Sequence, residues 1–181
     1  MSDATEFAES LDSFWSRARR QLPDLPARRP EAWAFGATPE HGDDLLVLVL
    51  NGTKTGTASA LWDIESAGES IPEEGELSII LDGRGQPRAL IETTAIEIVP
   101  FSEVTAEHAH AEGEGDRTLA AWSEIHERFW SEHGQRGFSP DMPVVCERFR
   151  LLFPSAELAP VAPTAAVEPT PASGDVTGRT A

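Results

Sequence analysis

The sequence predicts an α+β protein built on a small curved sheet or barrel, and two patterns carry that prediction. Apolar residues recur at three- and four-residue spacings in separate segments, which is typical of amphipathic helices. Between those segments lie short β-branched runs bounded by Gly, Pro and Asp, which are typical of strands and turns. Residues 155–181 are instead rich in Ala, Pro and Thr and lack aromatic side chains, so we expect a disordered tail there.

The first half of the chain is predicted to contain two helices and a strand. Residues 5–22 place apolar side chains on one helical face, and two prolines then end the helix. Residues 23–41 follow as a connector. Asp43 or Asp44 can cap a second helix, although its nearly continuous apolar run also suits a buried strand. Residues 55–64, which are rich in β-branched side chains, favour a strand.

The second half of the chain is predicted to alternate strands with helices. A short helix is expected over 105–111, and a longer one begins at Asp116 or Thr118 and ends near residue 133. Glycine- and proline-containing turns separate these helices from runs of strand type. The predicted strands are 76–81, 88–99 and 143–153.

The composition limits the classes of partner. The net charge of −17 repels phosphate, which argues against DNA and against broad nucleic-acid binding but leaves room for a small neutral substrate. Five early arginines form either a patch for a short RNA end or the solvated face of a helix and its connector, and we favour the second interpretation. These are Arg17, Arg19, Arg20, Arg28 and Arg29.

Cysteine content and hydropathy indicate the compartment. Cys146 is the only cysteine, so the chain forms no internal disulfide and no cysteine-based metal site, and its apolar strand makes it a core residue. No N-terminal segment resembles a signal peptide, and no run approaches the ~20 apolar residues that span a membrane. We therefore expect a cytoplasmic protein without a membrane partner. The oligomeric state is left open.

The strongest candidate for chemistry is the turn that contains Lys54, the only lysine in the chain. A lysine amine can lose its proton when it is desolvated, whereas a guanidinium stays charged. The hydroxyls of Thr53, Thr55, Thr57 and Ser59 lie within five positions, and an amine near a hydroxyl is a minimal pair of base and nucleophile. The structural alternative is a lysine that faces the end of a helix closed by Asn51-Gly52.

A second candidate is the acidic loop Glu112-Gly113-Glu114-Gly115-Asp116. Its glycines allow close approach of the backbone to a ligand, and a glutamate held there can orient an amine or transfer a proton. Alternatively, the acidic residues only favour the start of the next helix. His108 and His110 stand two residues apart and point to different sides of a helix, so we expect no metal or other cofactor. His126 is expected at the surface or at the core boundary.

Taken together, several segments resemble the ASCH domain family. The turn Gly52-Thr53-Lys54-Thr55-Gly56-Thr57 is similar to the family's Gly-x-Lys-x-x-Thr signature. The matching segments that follow in order are Ile91-Glu92-Thr93-Thr94, Val99-Pro100-Phe101, the acidic loop, and Val145-Cys146-Glu147-Arg148-Phe149. The resemblance implies a small PUA-like β-barrel with flanking helices over residues 30–154. Residues 1–29 then form an N-terminal helix and connector, an addition typical of the longer bacterial members.

The resemblance also implies a function. Some small bacterial members are amidohydrolases that deacylate N(4)-acetylcytidine and related nucleosides through a Lys, a Thr and a Glu. Their positions match Lys54, Thr57 and Glu114, with Glu112 as the alternative glutamate. A neutral Lys54 then takes the proton of Thr57, which attacks the amide carbonyl while Glu114 helps to protonate the leaving amine. The substrate is expected to contact Thr55, Ser59, Trp62 and Glu112.

Two alternatives remain open within the same family resemblance. One is a non-catalytic RNA-binding module, and the other is a metal-dependent ribonuclease that uses the same cleft. The chain also departs from the small members, which carry an Arg two residues after the Thr, where this sequence has Ser59. The expected partner is therefore a small nucleoside-like substrate or a short RNA.

Overall fold

Over residues 2–154, a curled five-stranded sheet, open as a half-barrel, forms the centre of the fold, and five α-helices surround it. The computed structural model describes residues 2–154, with side chains from residue 11 onward. The disorder predicted for 155–181 lies outside the described residues. The helices are α1 (Ser2–Gln21), α2 (Pro39–Leu50), α3 (Leu61–Ala67), α4 (Ala106–Glu112) and α5 (Leu119–His133). The strands are β1 (Glu31–Trp33), β2 (Gly56–Ala60), β3 (Leu77–Leu81), β4 (Pro87–Pro100) and β5 (Pro143–Phe153).

The strand order β1-β3-β4-β5-β2 places the two longest strands at the middle of the sheet. β1 and β3 are parallel, and the three other pairs are antiparallel. The register of β4 against β5 shifts at two points, and such irregularities increase local bending. This curvature confirms the α+β class with a curved sheet that the sequence predicts.

Among the described side chains, three apolar clusters attach the helices to the sheet. On α1, Leu11, Phe14 and Ala18 pack against Ile79, Leu90 and Phe153, so the N-terminal helix covers one part of the sheet. Helix α2 contributes Leu45, Leu46 and Val49 to a second cluster, which includes Phe35 and Phe149. Helix α5 contributes Trp122 and Trp130 to the third, around Phe101, Met142 and Cys146. Each cluster follows the apolar helical spacing seen in the sequence.

Three predicted boundaries were wrong. Helix α2 begins at Pro39 and is capped by Thr38, whose side chain accepts a hydrogen bond from the His41 amide, so neither Asp43 nor Asp44 is the cap. The strand predicted over 55–64 is Gly56–Ala60 alone, because the chain turns into helix α3 at Leu61. The connector contains strand β1, which is only three residues long and depends on pairing with β3.

Candidate functional site

The turn between α2 and β2 directs Lys54 into the interior. Gly52 has a positive φ of 77°, and the amides of Thr53 and Lys54 both donate to the Leu48 carbonyl at 2.9 Å. The amide of Thr55 then donates to the Ala111 carbonyl at 2.7 Å, which ties the turn to the end of α4. Helix α2 and helix α4 therefore fix the backbone on both sides of Lys54.

Lys54 is completely enclosed and lies between two carboxylates. Its side chain is 1% exposed, and Nζ lies 3.0 Å from Glu112 Oε2 and 3.0 Å from Glu114 Oε1. Nζ also donates to the Glu112 carbonyl at 3.4 Å and lies 5.5 Å from the centre of the Phe35 ring. All three N–H donors of the ammonium thus have oxygen partners.

The surroundings keep Lys54 charged. Burial alone would lower the pKa of Lys54, but the carboxylates of Glu112 and Glu114 outweigh burial, and the pKa is raised. The amine is therefore an ammonium at neutral pH. The neutral Lys54 invoked from the family resemblance is not the resting form, because both partners that stabilise the charge are in place.

Glu112 is a fixed anion. Its Oε1 accepts a hydrogen bond from Trp122 Nε1 at 2.7 Å and lies 3.2 Å from His108 Nε2 and 3.6 Å from His126 Nε2. Burial alone would raise the pKa of Glu112, but the Lys54 ammonium and the hydrogen bond with His108 outweigh it and hold the pKa well below its usual range. Glu112 is therefore a poor proton acceptor and anchors the lysine.

Glu114 differs from Glu112 in its exposure and in its partners. Its side chain is 13% exposed, and among the described residues its carboxylate pairs with Lys54 alone. Gly113 separates the two glutamates in a left-handed conformation that ends helix α4, which lets both carboxylates approach the same ammonium. Glu114 is thus the more accessible carboxylate of the two.

Two neighbouring cavities meet at Thr57. The inner cavity, of about 80 Å³, is lined by Lys54, Glu114 and Thr57 among apolar side chains that include Phe35 and Phe129. The outer groove, of about 690 Å³, is lined by Thr57, Ser59, Trp33 and Glu147 among others. Within the described chain the Thr57 hydroxyl has no hydrogen-bond partner, so it is free to face a ligand. A molecule in the outer groove can therefore reach Thr57 beside the enclosed charges.

A model of the ASCH domain family matches residues 31–152, which is well over half of the chain. The protein belongs to the ASCH domain family.

Solved structures support this assignment. The ASCH domain is similar to a protein of Enterococcus faecalis V583, with 36% identity and a TM-score of 0.72 over 83% of this chain and 94% of the other. It is also similar to an ASCH domain of Lactobacillus crispatus JV V101, with 27% identity and a TM-score of 0.70 over 80% and 94% of the two chains. The PUA-like architecture is thereby confirmed. No curated protein matches the sequence. None of the helices in the described part of the ASCH domain is long and apolar enough to cross a membrane.

The structure separates the predicted site residues into groups. Lys54, Thr57, Glu112 and Glu114 line the inner cavity, and Ser59 joins Thr57 in the outer groove. Thr55 instead lines a groove of about 580 Å³ together with Thr94 and Arg148. Trp62 packs on the apolar cluster that contains Trp122 and Trp130, and the Arg136 guanidinium lies 5.4 Å from the centre of its ring. The predicted contacts of Thr55 and Trp62 with substrate thus fall outside the two cavities that meet at Thr57.

The prediction for His126 was wrong, because this residue is buried. It is 7% exposed, its ring stacks on Trp122 at 4.2 Å, and it lines the inner cavity. The signal was present in the sequence, since Trp122, His126 and Trp130 stand four residues apart on one helical face. His108 was also missed as a partner of Glu112, although the two are an i,i+4 pair on α4.

Glu112, Glu114 and His126 form a set of possible metal ligands in the described part of the ASCH domain. Their ligand atoms lie within 4.8 Å of one another. The Lys54 ammonium already contacts both carboxylates at 3.0 Å, so a metal ion would have to displace a charge that is buried with them. His110, considered with His108 in the sequence, is exposed and contacts Arg117 instead.

Proposed function

We propose that this ASCH domain is a hydrolase that removes the acyl group from an uncharged N-acylated nucleoside, with N(4)-acetylcytidine as the test substrate. One observation carries the proposal: Thr57 lies between the enclosed Lys54–Glu114 pair and an open groove. This arrangement offers a nucleophile to a ligand while the groups that move protons stay shielded from water.

The proton transfers in the proposed mechanism begin at the ion pair. Lys54 gives a proton to Glu114, whose Oε1 is 3.0 Å away, and the freed amine takes the proton of the Thr57 hydroxyl. Thr57 attacks the amide carbonyl, and protonated Glu114 gives its proton to the leaving amine as the C–N bond breaks. Lys54 and Glu114 are then charged again. Water next hydrolyses the acyl ester on Thr57, with the same pair transferring protons.

The charge of the outer groove supports an uncharged substrate. Its lining includes Glu31, Glu69, Glu76 and Glu147, and no basic residue is among the side chains that line it. A phosphate in this groove would meet carboxylates at short range, in addition to the overall charge of −17. A free nucleoside meets no such penalty, so we favour it over a nucleotide.

A non-catalytic RNA-binding role is the first alternative, and the arginine patch does not favour it. Arg17 lies 5.7 Å from the Phe14 ring centre and 5.9 Å from that of Phe153, and Arg29 pairs with Asp12 at 3.0 Å. Two of the five arginines are thus already engaged in contacts within the protein. The second alternative, a metal-dependent ribonuclease, rests on the Glu112, Glu114 and His126 set and requires displacement of Lys54.

Turnover of N(4)-acetylcytidine by the wild type and by Thr57→Ala tests the proposal. We expect acetate release by the wild type and a loss of 10³-fold or more (an order-of-magnitude expectation) in Thr57→Ala, because the nucleophile is removed. Thr57→Ser is the matched control, since it keeps the hydroxyl, and it should retain measurable turnover. Mass spectrometry of the quenched reaction should show an acetyl group on Thr57. Absence of turnover across a panel of acylated cytidines would reject the hydrolase proposal.

Lys54→Arg tests the proton transfers separately from the charge. Arginine keeps a cation between Glu112 and Glu114 but cannot release a proton at neutral pH, so we expect turnover to disappear. Nucleoside binding, measured by calorimetry, should survive in a folded variant. Retained turnover in Lys54→Arg would contradict the role given to the lysine.

A further inference from the structure

Glu147 is a buried carboxyl that the proposed mechanism does not use. It lies on β5, an interior strand of the sheet, it is 7% exposed, and its Oε1 accepts a hydrogen bond from the Thr93 hydroxyl at 2.6 Å. Within residues 11–154 no lysine, arginine or histidine lies within ion-pair distance of it. A buried carboxyl with one neutral partner has unused acceptor capacity.

The strand register brings Glu147 next to the candidate nucleophile. Thr57 on β2 is paired directly with Glu147 on antiparallel β5, and side chains paired in this way point to the same face of the sheet. Both residues line the outer groove. A ligand that presents its acyl group to Thr57 therefore places a neighbouring part of itself beside the Glu147 carboxyl.

The Glu147 carboxyl can accept a further hydrogen bond from a ligand in the outer groove. Burial raises the pKa of Glu147 and the nearby Glu76 carboxylate adds to that effect, while the Thr93 hydrogen bond opposes it only in part. A hydrogen-bond donor from a ligand would stabilise the carboxylate, whereas a phosphate would add a further negative charge. The groove is large enough for such a ligand, at about 690 Å³.

We propose that Glu147 is a specificity-determining residue of the outer groove. Its carboxylate accepts hydrogen bonds from hydroxyl or N–H donors on the part of an uncharged nucleoside that does not react, and with Glu76 it excludes the phosphorylated nucleotide. This inference rests on the proposed function for its choice of ligand, and binding alone tests it without any need for catalysis.

The experiment is calorimetric titration of the full chain with cytidine and with cytidine 5′-monophosphate. We expect the wild type to bind cytidine at least ~10-fold more tightly than the monophosphate. Glu147→Gln should weaken cytidine binding by ~10-fold, because the acceptor loses the charge that strengthens the hydrogen bond, and it should narrow the difference in affinity between the two ligands. Glu97→Gln is the matched control, because it makes the same change on β4 at a residue that lines the groove of about 580 Å³ beside Thr55. The affinities for cytidine and for the monophosphate should both stay unchanged.

Three results would overturn the inference: equal cytidine affinity in the wild type and Glu147→Gln, equal affinity of the wild type for both ligands, or no binding of either ligand. If Glu147→Gln fails to fold, Glu147→Asp takes its place: it keeps the negative charge but draws the carboxylate back from the groove, so cytidine binding should weaken while the monophosphate stays excluded. Turnover of N(4)-acetylcytidine on the same preparations reports separately on the hydrolase proposal. Selective cytidine binding without turnover of any acylated cytidine in the panel would reject the hydrolase proposal and leave the role of Glu147 standing.

Discussion

At the scale of single residues, the Lys54 cluster shows how a buried charge depends on all of its partners. Glu112 has hydrogen bonds on both carboxylate oxygens, and both glutamates raise the pKa of the Lys54 ammonium against the effect of its burial. The two glutamates stand only two residues apart in the sequence, yet one is completely buried and the other is partly exposed. Glu112 should therefore contribute mainly to stability, and Glu114 mainly to proton transfer.

Glu112→Gln should reduce stability far more than Glu114→Gln. Removing one partner of a buried ion pair costs about 3–5 kcal/mol, and the loss should be smaller for Glu114, because its side chain is 13% exposed to water. Chemical denaturation at pH 7 measures both values. Turnover should show the opposite order: if both variants fold, Glu114→Gln should be less active than Glu112→Gln. Equal losses of stability in the two variants would contradict the division of roles between them.

The lowered pKa of Glu112 predicts how the stability of the protein responds to acid. The pKa of Glu112 is lower in the folded protein than the value of 4.5 expected in the unfolded chain. The contribution of Glu112 to the free energy of unfolding is therefore complete at pH values well above 4.5. As the pH falls below about 4.5, the unfolded chain takes up a proton first and the contribution is lost. The unfolding free energy of the wild type should therefore fall more steeply than that of Glu112→Gln between about pH 5 and pH 2.5. Parallel curves would mean that Glu112 does not carry this effect.

At the scale of elements, the end of helix α4 positions both glutamates. Gly113 adopts a positive φ of 76°, and a Cβ at this position would lie 2.8 Å from the Thr53 carbonyl oxygen. The contact joins the two backbones that carry Lys54 and Glu114, so an added methyl group has to push them apart. The close approach of two segments distant in the sequence is what requires glycine here.

Gly113→Ala should therefore disturb the site as well as the helix end. We expect a loss of stability beyond the ~1 kcal/mol that a positive φ costs an alanine, together with a large loss of turnover. Gly75→Ala is the matched control, because Gly75 has a φ of 85° and no atom within 4 Å of the added methyl group. It should show the backbone cost alone and keep full activity. Similar behaviour of the two variants would show that the contact with Thr53 is unimportant.

At the scale of the whole molecule, the charge of −17 acts on every approaching anion. Much of the repulsion is long-range, so it should weaken as salt shortens the screening length from about 10 Å at 0.1 M to about 3 Å at 1 M. We expect the affinity for cytidine 5′-monophosphate to rise towards that for cytidine over this range, while cytidine itself serves as the uncharged control. Calorimetry at several salt concentrations measures both affinities. A constant difference would assign the discrimination to short-range contacts alone.

Sequence patterns predicted those parts of the fold and site that depend on local chemistry. The spacing of apolar residues predicted the positions of α1 and α5, because residues three and four apart lie on the one helical face that is buried. Lys54 was identifiable because it is the single lysine in a glycine-bounded turn. Strand β1 and helix α3 were missed, since a three-residue strand and a seven-residue helix without a side-chain N-cap leave too short a pattern of apolar residues to detect.

The sequence by itself determined the ASCH family signature, the α+β class and the grouping of Lys54, Thr57 and the acidic loop as candidates. Only the tertiary structure decided how these groups are charged and which of them meet. Protonation of Lys54 depends on two carboxylates about 60 positions away, and the placement of Glu147 beside Thr57 depends on the register of β2 against β5. The physical reason is that charge states and cavities arise from contacts between distant segments, which local patterns do not record.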